Sequence, residues 1–123
     1  MPTRGRRISP DEFERLVEEA LAGLPAEFRE LLENVAIVVE QEPTDEDLEI
    51  SEGDGELLGI FRGVARPDRS WNQLPSLPNQ ISIFRGPILR VSRSRAEVVH
   101  EIRETVVHEL GHFFGLGDHE MPF

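Results

Sequence analysis

SRAEVVHEIRETVVHELGHFFGLGDH, residues 94–119, is the stretch on which the fold turns. Ser94 and Glu97 have the spacing of a capping box, in which the serine hydroxyl takes the first free backbone N–H groups of a helix. Behind it, Val98, Val99, Ile102, Val106 and Leu110 recur at helical spacing, and no breaker interrupts the pattern before Phe114. Gly115 is placed to cap the C-terminus. The predicted helix has about 20 residues, roughly 30 Å at 1.5 Å per residue, and so crosses a small domain. We expect it to be the central helix.

The same helix carries HELGH, residues 108–112. His108 and His112 lie one turn apart and about 40° apart around the axis, so both imidazoles can reach one ion. Glu109 falls about 100° from His108, close enough to touch a metal-bound water without ligating the metal. Neutral imidazoles are good zinc ligands, and a bound zinc lowers the pKa of its water toward 7 for a nearby carboxylate to deprotonate. A catalytic zinc takes three protein ligands. A left-handed Gly115 would turn the chain back, and the residue three further on is Asp118. That register favours Asp118 as third ligand over its neighbour His119, although Gly117 adds slack and leaves both open.

Four other residues border this motif. Glu104, one turn before His108, either orients an imidazole by accepting its far N–H or is simply solvated. His100 reads as a surface or outer histidine. His119, when not a ligand, is placed to orient Asp118 or to steady a developing oxyanion, work no phenol can do in a chain without tyrosine. Met121 follows the motif too closely to form a methionine turn.

Outward from the motif, the chain alternates helical and strand patterns. Ser9, Pro10 and Glu12 open a first helix, with Ile8 and Phe13 spaced as a hydrophobic staple. Phe13, Leu16, Val17, Ala20 and Leu21 give it an apolar side, and Gly23 with Pro25 ends it. A shorter helix is expected in AEFRELLEN, residues 26–34, and a buried strand in VAIVVE, residues 35–40. EPTDEDLEISEGDGE, residues 42–56, holds eight acids without calcium-loop spacing and reads as a solvated loop. In ELLGIFRGVA, residues 56–65, Gly59 and Gly63 signal a bend or a close approach. Residues 66–80 read as a loop, and ISIFRG, residues 81–86, as a third strand.

With 123 residues the chain fits one domain, expected at 9–123 behind a flexible N-terminal segment, 1–8. Thirty-eight per cent hydrophobic and 30% charged residues are ordinary for a soluble domain. The absence of cysteine removes disulfides, thiolate ligands and thiol nucleophiles. With no secretory signal and no apolar membrane span visible, the expected location is the cytoplasm, away from any membrane. A net charge of −11 argues against a nucleic-acid partner.

Several blocks together resemble the small bacterial zincin-like metallopeptidases, or minimal zincins. They are FERLVEEALAGLPAEFRELLENVAIVVE, LLGIFRG, ISIFRGPILR and ETVVHELGHFFGLGD. The resemblance implies an α+β minimal zincin-like fold, with a three- to four-stranded sheet packed on helices and a long C-terminal motif helix. It also implies one zinc ion held by His108, His112 and Asp118, with Glu109 as general base in hydrolysis of a peptide or protein substrate. Neither the C-terminal subdomain nor the methionine turn of larger zincins is expected, which bears on substrate grip more than on metal binding. An edge strand commonly pairs with extended substrate in that superfamily, and QISIFR, residues 80–85, is the candidate, with a purely structural strand as the equal alternative. The alternative is a metal-stabilised binding module without turnover, for which a retained Glu109 has no use. A likeness to bacterial rRNA-maturation endoribonucleases is weaker, because their motif lacks the glutamate after the first histidine and has a histidine where this chain has Asp118.

Overall fold

The structure, a computed structural model, describes residues 8–50, 55–62 and 79–114. In chain order these form α1 (Pro10–Ala22), α2 (Ala26–Leu31) running into a 3-10 turn (Leu32–Asn34), β1 (Val35–Glu40) and α3 (Asp45–Ile50). Next come β2 (Gly59–Arg62), β3 (Asn79–Phe84), α4 (Arg85–Val91) and α5 (Arg95–Phe114). The fold is α+β: a three-stranded sheet in the order β1-β3-β2 packed against helices, with a long helix late in the chain. No helix among the described residues is long and apolar enough to cross a membrane.

The two long helices start where local chemistry dictates. Ser9 Oγ accepts the Glu12 N–H at 3.1 Å, and Pro10 occupies the first turn, where its missing N–H costs nothing. Ser94 Oγ likewise accepts the Glu97 N–H at 3.1 Å, while the Glu97 carboxylate accepts from Arg93 N at 2.7 Å. Phe13, Leu16, Val17 and Ala20 of α1 meet Val98, Val99, Ile102, Val106, Val107 and Leu110 of α5 in one core cluster. Burying such side chains contributes about 1.5–3 kcal/mol each, enough to fix a helix that would be marginal alone. Ile8, expected in a flexible segment, is 2% exposed within this cluster, and its carbonyl accepts from Arg85 Nη2. Residues 1–7 lie outside the described residues.

β3 is the centre of the sheet. β1 runs parallel to it in a register from Val35↔Asn79 to Glu40↔Phe84, and β2 runs antiparallel from Gly59↔Ile83 to Arg62↔Gln80. Ile81 and Ile83 face the helices and Ser82 and Phe84 the other side, all four fully buried. The expectation that residues 80–85 form a substrate-binding edge is therefore overturned, because β3 has a strand on each flank. Among the described residues the edges are β1 and β2. β1 is correspondingly half-exposed rather than buried through and through.

Two helices depart from the sequence expectation. α4 follows β3 directly, with Pro87 tolerated in its first turn and Ile88 and Leu89 buried. α3 lies inside the acidic stretch that reads as a solvated loop. Thr44 caps it reciprocally: Thr44 N donates to Asp47 Oδ2 at 2.9 Å and Asp47 N donates to Thr44 Oγ1 at 3.0 Å. Asp47 itself is only 3% exposed.

Candidate active site

α5 divides cleanly into two faces. Its apolar stripe is spent on the core, leaving His100, Glu104, His108 and His112 exposed at four-residue intervals on the opposite side. The Nε2 atoms of His108 and His112 lie 2.9 Å apart, with ring centroids at 4.4 Å and planes crossed at 76°. A tetrahedral zinc with bonds of about 2.0–2.1 Å would hold two such nitrogens about 3.3 Å apart, a few tenths wider than here. Both rings sit in the last two turns of the helix, where the negative end of the helix dipole favours a cation. The donor set and its position fit zinc. No group of three metal-ligating side chains occurs among the described residues. Asp118 and His119, the two alternatives for a third ligand, lie outside them, as does Gly115.

Glu109 is half-buried between α5 and β2, and its Oε1 accepts the Phe61 backbone N–H at 3.1 Å. Burial pushes its carboxyl above the ordinary glutamate range, opposed by the Phe61 N–H and by the nearby His108 and His112. A carboxylate moved in this direction is a better proton acceptor near neutral pH. The backbone beneath it is drawn in close at Gly59. A Cβ there would stand 2.5 Å from Thr105 Cγ2 and 2.8 Å from the Ser82 carbonyl, so only glycine lets β2 lie this near α5. Thr105 is one turn before Glu109, and its own hydroxyl is turned back onto the Glu101 carbonyl at 2.7 Å.

Among the described residues, then, His108, Glu109 and His112 come together. Glu104 Oε2 lies 3.5 Å from His100 Nε2, pairing these two along the exposed face. Phe61 is the contributor that sequence reasoning missed, because its part is played by a backbone N–H and leaves no side-chain signature. Gly59 in LLGIFRG was the available hint, marking where two backbones come close.

A profile of zincin-like metallopeptidases matches residues 32–122, from the 3-10 turn past the end of α5. The chain belongs to the zincin-like metallopeptidase family. Among solved structures, it is similar to a conserved hypothetical protein from T. thermophilus, with 23% sequence identity and a TM-score of 0.60. That match covers 87% of this chain and 94% of the other, and at such identity it speaks for the fold alone. No curated protein matches the chain.

Proposed function

We propose that this chain is a zinc-dependent peptidase using one zinc ion. His108, His112 and Asp118 would hold the ion, with His119 beside Asp118 as an orienting or oxyanion-stabilising group. Bound zinc supplies Lewis acidity, which polarises a substrate carbonyl and acidifies a coordinated water. Glu109 would accept a proton from the attacking water and return it to the leaving amine. The observation that carries this reading is the placement of Glu109, held half-buried by the Phe61 N–H beside two converging imidazoles. A metal with a purely structural role has no need of a base at that position.

The substrate is a peptide or protein. With β3 enclosed, extended substrate would instead approach β2, an edge strand among the described residues and beside the motif helix. Phe84 N donates to the Leu58 carbonyl at 2.9 Å, which sets the alternation: Gly59 then occupies a pair whose backbone groups point away from β3. The absence of cysteine and the net charge of −11 suit a cytoplasmic enzyme without a nucleic-acid partner.

Glu109→Gln tests the role of the base. The variant should keep its zinc and lose peptide hydrolysis by about 10²–10⁴-fold, the range a positioned general base contributes. Undiminished hydrolysis by the variant would remove Glu109 from the reaction. A wild-type protein that holds zinc and cleaves no peptide from a broad library would point to a metal-stabilised binding module.

A further inference from the structure

The short strand that holds Glu109 is itself held from the other face of the sheet. β2 has four residues, and neighbours along a strand point to opposite faces, so Phe61 and Gly59 turn toward α5 while Arg62 turns away. The Arg62 guanidinium is gripped on several sides. Nη1 donates to Asp47 Oδ1 at 2.8 Å and Nη2 to Asp47 Oδ2 at 3.0 Å, a two-pronged pair. Nε donates to Ser82 Oγ at 3.0 Å, and Nη2 lies 3.4 Å from Glu40 Oε1. Ser82 in turn donates to Glu40 Oε2 at 2.6 Å and accepts from Gln80 Nε2 at 3.0 Å. All three strands and α3 thus meet at one side chain.

Such an arrangement suits placement better than stability. A partly buried ion pair adds little net stability, but its fork geometry fixes both distance and orientation. Slipping β2 by one residue would carry Arg62 into the helix-facing core and Phe61 out of it, a register change the pair forbids. Asp47 is also anchored from behind. Thr44 caps its helix, and Arg90 joins both ends of the acidic stretch, reaching Glu42 at 2.8 Å and Glu56 at 2.7 Å.

We infer that Asp47 and Arg62 are positioning residues for Glu109: their ion pair sets β2 at the height where the Phe61 N–H meets the Glu109 carboxylate. The acidic stretch, remote from the histidines in sequence, is in this way part of the site's support. This rests on Glu109 acting as the base, but the hydrogen bond can be followed without any turnover.

The test uses the full chain labelled with nitrogen-15 and follows the Phe61 amide by NMR. Glu109→Ala removes the acceptor and defines the shift of the amide without its carboxylate. In folded Asp47→Asn, the Phe61 amide should move toward that value and exchange with solvent at least about tenfold faster, while Val106 in α5 keeps its protection. Arg62→Lys, which keeps the charge and loses the fork, should fall between wild type and Asp47→Asn; it also serves if Asp47→Asn does not fold. In peptide hydrolysis, kcat should drop about tenfold with KM nearly unchanged, as expected when a base is displaced without loss of substrate contacts. A Phe61 amide that ignores Glu109→Ala, or that stays in place in folded Asp47→Asn and Arg62→Lys, overturns the inference. If the amide moves as stated and wild type cleaves no peptide, the positioning stands and the peptidase reading falls.

Discussion

Asp47 shows how much one side chain can carry. It is almost fully buried, yet the Arg62 guanidinium and the Thr44 hydrogen bonds together outweigh burial and lower its carboxyl from 3.8 to about 2. A carboxylate whose pKa is lower in the folded chain than in the unfolded one stabilises the fold above the unfolded value. That contribution, on the order of 2 kcal/mol, is complete above about pH 5 and lost as the pH falls through 3.8 toward 2. Urea unfolding across pH 6 to 2 should show it, and Asp47→Asn should flatten that part of the profile while lowering stability near neutrality. Equal acid sensitivity in wild type and variant would mean that the ion pair does not form in solution. None of this was legible in the sequence, where Asp47 is one acid among eight. The capping signal Thr44–Asp47 was there, but composition spoke louder. The partner, Arg62, is fifteen residues away and no local pattern links the two.

At the scale of elements, the contact between β2 and α5 places the site. Gly59→Ala would drive a methyl group into Thr105 and the Ser82 carbonyl, and overpacking of this kind costs about 1–3 kcal/mol. Thermal unfolding should drop by roughly 5–10 °C for a chain of this size. Trimming Thr105 to serine in the same chain should recover part of the loss, because it removes the methyl that the new Cβ meets. Strictly additive losses would show that β2 and α5 are not in contact there. The helices α1 and α5 could be read beforehand because capping and apolar spacing are local, and HELGH needed only the helix to bring its histidines together. Strand order could not be read. ISIFRG alternates like an edge strand, but it became the centre once β1 and β2 both paired with it, and Ser82 is buried through partners supplied by other strands. α4 lay hidden because Gly86 and Pro87, both poor helix formers, stand in its first turn.

The whole molecule is organised around a division of α5. One face fills the core with α1 and the sheet, and the other presents four polar side chains, of which His108 and His112 converge. Glu109 sits at the boundary, where β2 meets the helix, half out of water and held by a backbone donor. The two-histidine half of the proposed metal site is therefore preorganised by the same packing that stabilises the fold. Anomalous diffraction at the zinc absorption edge, from crystals grown with zinc in modest excess, tests this most directly. The account predicts one strong peak per chain between the Nε2 atoms of His108 and His112, with the Asp118 carboxylate as third ligand. Featureless density at that point, with zinc bound elsewhere or nowhere, would contradict it.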